Sequence, residues 1–114
     1  MDSILTSIKK LLGIEESYTH FDTDVIIGIN TAISILTQIG VGPVNGFSIT
    51  DKTSVWSDFI SDMSKLELVK SYVHLKVKLL FDPPTSSAVI EVNNRQLSEL
   101  EWRISILVDP VEVT

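Results

Sequence analysis

The segment from residue 66 to residue 80 constrains the fold more than any other. At about 100° per residue, Leu75, Leu68, Leu79, Tyr72, Val69, Leu80, Val73, Leu66 and Val77 fill a helical arc of roughly 200°. A helix with one buried face needs only about half that width. This helix is therefore expected at the centre of the molecule, packed on two sides. Ser64 and Glu67 predict a capping box at its start, with Met63 and Leu68 as the flanking staple. Asp82-Pro83-Pro84 stops it, because a residue before proline avoids the α region.

The remaining segments supply helices to surround it. Ile4, Leu5, Ile8, Leu11 and Leu12 recur at helical spacing, with Asp2 as the expected cap and Gly13 as the stop. Lys9 and Lys10 stand near that helix's C-terminal end, where the dipole favours cations. A second helix is predicted over residues 23–38, capped by Asp22 and stapled by Phe21 and Ile26. Val25, Ile29, Ala32, Leu36 and Ile39 form its stripe, and Gly40 ends it. Its β-branched content leaves a strand as the second reading, and the caps and length favour helix. A short helix is read over residues 54–60, and a long one over residues 87–107 with Val89, Ile90, Leu97, Leu100, Ile104 and Leu107 on one face. Glu91, Arg95, Glu99 and Arg103 mark its solvated side, spaced for i,i+4 pairs. The fold class is thus all-α: a small bundle of four long helices and one short one. It forms a single domain over residues 1–108, followed by a tail over residues 109–114. Residues 40–52 are the main loop, read as mobile, with Asn45-Gly46 as a hairpin-type turn and Phe47-Ser48-Ile49 as a short extended piece.

Composition narrows the chemistry. The 114 residues carry a formal net charge of −6, which argues against a protein that wraps nucleic acid. With no cysteine, disulfides, thiol catalysis and Cys-based zinc sites are excluded. No stretch approaches the roughly 20 apolar residues that span a bilayer, and no membrane partner is expected. His20, Asp22 and Asp24 have a spacing that can in principle hold a cation, but the expected reading is that Asp22 caps the helix and Asp24 sits at its positive end. His74 lies between Lys70 and Lys78 on one polar stripe, without the carboxylate setting of a general base. Asp58 and Asp62 stand one turn apart and have no partner motif. Phosphate loops, dinucleotide fingerprints, nucleophile elbows and zinc-protease motifs are all absent. No enzyme, cofactor or metal site is expected.

Two features point instead to binding. Trp102 falls about 180° from the centre of the apolar face of its helix, beside Ile106 and Arg95. An aromatic on a polar face is a candidate anchor for another chain; the competing reading has a neighbouring helix of the same domain covering it. Lys76 falls inside the apolar arc of the central helix, where it either snorkels or pairs with an acid across an interface. In the main loop, Val44, Phe47 and Ile49 are candidates for contact with a neighbouring molecule; an ordinary surface loop is the alternative.

The run Leu66-Glu67-Leu68-Val69-Lys70-Ser71-Tyr72-Val73-His74-Leu75-Lys76-Val77-Lys78-Leu79-Leu80-Phe81-Asp82-Pro83-Pro84 carries a resemblance. With Leu97-Ser98-Glu99-Leu100-Glu101-Trp102-Arg103 and Trp56-Ser57-Asp58-Phe59, it resembles the head–tail connector (adaptor) proteins of tailed bacteriophages. The likeness covers most of the chain, from the second helix to the fifth. It implies a structural virion protein of the neck, assembled in the host bacterial cytoplasm. Its copies would form a ring beneath the portal protein, extend the DNA channel and dock the next neck or tail-completion protein. DNA would pass through without specific binding. Two alternatives stay open: a tail-completion or terminator protein of the same neck, and a small regulatory DNA-binding protein. The second has only the Lys70, His74, Lys78 stripe to offer as a recognition surface, against the net charge.

Overall fold

The computed structural model describes residues 3–108. Asp2, the expected cap of the first helix, and the tail over residues 109–114 lie outside that range. Five α-helices follow in order: α1 Ile4–Leu11, α2 Asp22–Ile39, α3 Trp56–Phe59, α4 Leu66–Phe81 and α5 Ser87–Val108. Among the described residues there is no strand, only an isolated bridge between Ser3 and Val55. The all-α class and the count of four longer helices and one short one are therefore as expected, and the strand reading of residues 23–38 falls away.

α4 is central. It packs against α2 on one side and α5 on the other, and α1 also touches it. Val69, Tyr72, Val73 and Val77 are fully buried there, as the wide arc requires. The α2 stripe of Val25, Ile29, Ala32, Ile33 and Leu36 meets them. Gly28 lets the two helices approach closely: a β-carbon at that position would sit 3.4 Å from both Val77 methyls. The arc is not buried throughout, however. Leu80, in the last turn of α4, is 53% exposed.

Several helix starts differ from expectation. α1 is capped by Ser3, whose Oγ accepts from the Thr6 N–H at 3.2 Å. The capping box expected at Ser64 does not form. Both the N–H and the hydroxyl of Ser64 turn back to Asp62 Oδ1, at 3.0 and 2.6 Å. A carboxylate two residues upstream outcompetes the helix for these donors. A 3₁₀ turn, Met63–Lys65, intervenes, and α4 begins at Leu66 with no side-chain cap. The Met63 side chain of the proposed staple lies outside the described set. Asp22 is not a cap either; it is the first residue of α2, and its carboxylate turns to Lys9.

Lys9 is the buried polar centre of this end of the molecule. It is 2% exposed. Its ammonium donates to the carbonyls of Glu16 at 3.0 Å and Tyr18 at 2.7 Å. It lies 2.8 Å from Asp22 Oδ1, an ion pair whose angles fall outside hydrogen-bond geometry. One cation thereby ties the end of α1, the connection after it and the start of α2 together. Trp56, also fully buried, does the same for α3, donating from Nε1 to Ser7 Oγ on α1 at 2.8 Å.

Candidate functional site

The outward face of α5 follows from its own pattern. Leu97 and Ile104 are buried against α4 and α2, with Ile90 and Leu100 partly buried beside them. One half-turn away, Trp102 is 64% exposed and Ile106 38% exposed. Among the described residues no helix covers Trp102, so the reading in which a neighbouring helix does so is overturned. Val89, Val92 and Leu107 add to the exposed apolar surface of this helix. Arg95 pairs with Glu91 at 2.7 Å and Arg103 with Glu99 at 2.8 Å, all on the solvent side, so the expected i,i+4 row is present. Such exposed pairs contribute little to stability.

The loop candidates separate. Val44 is almost fully exposed at the tip of a turn in which the Gly46 N–H donates to the Pro43 carbonyl at 2.9 Å. The Asn45-Gly46 signal thus marks a turn, without the ladder of a hairpin. Phe47 is half-buried and stacks on Phe59, with centroids 5.3 Å apart. Ile49 is 2% exposed and belongs to the core of its own chain. The reason is Asn30 on α2. Its amide donates to the Ile49 carbonyl at 2.9 Å and accepts from the Ile49 N–H at 2.8 Å, docking the segment as a strand partner would. The outward part of the loop therefore narrows to the turn at Val44.

Lys76 is half-buried, and among the described residues no carboxylate lies within ion-pair distance of it. The Lys70, His74, Lys78 stripe divides in a similar way. Lys70 lies over the Trp56 ring, 5.9 Å from its centroid, and with His74 and Lys10 lines a groove between α1 and α4. Burial, and then the Lys78 charge, hold His74 below its ordinary pKa, while the Leu11 carbonyl acts the other way. Among the described residues no hydroxyl–histidine–carboxylate arrangement is formed around it. Among the described residues no group of three or more His, Asp or Glu side chains is placed to hold a metal ion. No described helix is long and apolar enough to cross a membrane.

A further apolar surface was not anticipated. Ile27 on α2 is 60% exposed and, with Leu80 of α4, flanks a groove floored by Gly28 and Val77 and rimmed by Asp24 and Asp82. The only sequence signal for it is that Ile27 falls outside the stripe that α2 turns to the core. Among the described residues the surface thus carries apolar patches at Trp102 with Ile106 and at Ile27 with Leu80, and one lone exposed valine, Val44. A family model for phage connector proteins matches residues 4–110. The chain belongs to the phage connector protein family. No curated protein and no solved structure matches it. Membership of this structural family implies a head–tail connector role and a non-enzymatic protein. In such a protein the functional site is the set of surfaces that meet other chains.

Proposed function

We propose that this connector forms a ring beneath the portal protein in the neck of a tailed phage, having assembled in the host bacterial cytoplasm. The ring extends the DNA channel and presents a docking surface to the next neck or tail-completion protein. The observation that carries this reading, beside the family, is the exposed Trp102 on a helix that buries Leu97 and Ile104 on its opposite side. Separate apolar patches at Trp102 and at Ile27 with Leu80, together with the exposed Val44, suit a subunit with neighbours on several sides. A contact between two different patches repeats head to tail and closes into a ring when the rotation allows. Arg95, Ile106 and Lys76 are proposed to share in these contacts, with Phe47 supporting the Val44 turn from behind. The net charge of −6 suits a channel wall that repels DNA and does not grip it.

The test is to mix the purified chain with portal protein and view the product by electron microscopy. Rings stacked coaxially on the portal are expected. A chain that leaves the portal bare would refute the reading. Filter binding to duplex DNA at low salt should show little affinity, whereas tight, salt-sensitive binding would favour a DNA-binding protein instead.

A further inference from the structure

The outward stripe of α5 has an internal symmetry. Residues 88, 92, 95, 99, 102 and 106 recur at alternating spacings of four and three, the repeat of a seam between two helices. In order they are Ala88, Val92, Arg95, Glu99, Trp102 and Ile106. Each is exposed. The pairs 88 and 106, 92 and 102, and 95 and 99 all average 97. The stripe therefore matches its own reverse. Turned end for end, Ala88 faces Ile106, Val92 faces Trp102, and Arg95 faces Glu99. At every level a small side chain meets a larger one, or a cation meets an anion.

We infer that α5 pairs antiparallel with α5 of a second copy of this chain, about a two-fold axis at the level of residue 97. Charge complementarity selects this occupant and this direction. In a parallel, in-register pair Arg95 would face Arg95 and Glu99 would face Glu99, so like charges would oppose each other at both central levels. In the antiparallel pair both become cross-chain ion pairs, while each Arg keeps its own-chain partner, Glu91 or Glu99. Charged residues at two seam positions cost stability but define register and direction. The apolar ends supply the attraction, with Trp102 64% and Val92 49% exposed in the single chain. The stripe is about 27 Å long, at 1.5 Å per residue. Its backbone is already helical, so little ordering is needed to form the contact.

The inference rests on reading the Trp102 face as a contact between chains, and it names the partner. A two-fold contact closes after two copies and does not itself propagate a ring. The pair is thus a form of the free subunit that covers Trp102 until the neck is built. The pair opens on assembly, and the Trp102 face then serves the ring contacts.

Sedimentation of the full chain with charge-swapped variants tests this. The wild type should run as twice its 12.7 kDa mass at tens of micromolar. Arg95→Glu and Glu99→Arg should each weaken pairing by about tenfold or more, because each opposes like charges across the seam. Mixed one to one, the two variants should regain it, since every Glu then faces an Arg. Both positions are more than half exposed, so the folded monomer should be unchanged by circular dichroism. Orientation is read independently in this cysteine-free chain. Ala88→Cys and Ile106→Cys should form a mixed disulfide with each other in preference to disulfides between like copies. A monomeric wild type, single variants that still pair, a mixture that does not, or preferential 88–88 disulfides would each overturn the inference. Portal binding is read by microscopy, so a failure of pairing is distinguishable from a failure of the connector reading.

Discussion

Replacing Lys9 with Met keeps the length and apolar stem of the side chain and removes only the ammonium. Three contacts go: the Glu16 carbonyl at 3.0 Å, the Tyr18 carbonyl at 2.7 Å and Asp22 Oδ1 at 2.8 Å. Breaking a fully buried ion pair from one side costs about 3–5 kcal/mol, because the other charge stays buried and alone. The full figure does not apply here. The Asp22 side chain is 27% exposed and can turn partly to water, and Glu16 and Tyr18 are exposed residues whose carbonyls can rehydrate. About 2–3 kcal/mol of destabilisation is expected, or roughly 10 °C in Tm for a domain of this size. Thermal unfolding followed by circular dichroism measures it. The double variant Lys9→Met, Asp22→Leu should recover most of the loss, since exchanging both members of a buried pair for apolar groups is often neutral. A Lys9→Met protein melting within about 2 °C of wild type, or a double variant no better than the single one, would refute the assignment of Lys9 as the tie between α1 and α2.

Three further outcomes are expected. Trp102→Ala should leave the monomer's Tm within about 2 °C, because a mostly exposed side chain is removed, while portal attachment or self-association measured by sedimentation is lost. Gly42→Ala should lower Tm by several degrees, roughly 1–3 kcal/mol: Gly42 holds a φ of 81°, and a β-carbon there would stand 2.5 Å from the Phe59 ring. His74 titrates below its ordinary value of 6.5 in the folded chain, so the unfolded chain takes up its proton first and stability falls as pH drops below 6.5. In urea unfolding from pH 7 to pH 5, His74→Gln should lose less stability than wild type, and parallel losses would contradict this.

What could be read from the sequence, and what could not, divides by the range of the interaction. The courses of α2, α4 and α5 follow from local spacing, from Gly40 as an αL stop and from Asp82-Pro83, and each is observed within a few residues. The central place of α4 and the outward turn of Trp102 follow from the same angular argument. Contacts between distant residues were not legible. Lys9 has the position of an ordinary dipole-favoured cation; only the return of the chain at Glu16, Tyr18 and Asp22 makes it a buried hub. Ile49 stands in a loop rich in Gly and Pro, and nothing local reveals that the Asn30 amide, 19 residues earlier, will hold it in the core. Ser64 has a capping-box spacing, and the nearer Asp62 carboxylate takes its donors first. Leu80 and Ile27 line one groove because α2 and α4 pack side by side, a matter of where two distant helices cross.

The connector role itself is tested most directly by a reconstruction of the isolated phage neck at a resolution that separates helices. The account predicts a closed ring of this chain immediately beneath the portal, with each 22-residue α5 resolved and the Val44 turns and Trp102 faces in contact with neighbouring chains. A neck whose ring at that level is built from another protein, with this chain absent or placed beyond it on the tail side, would contradict the account.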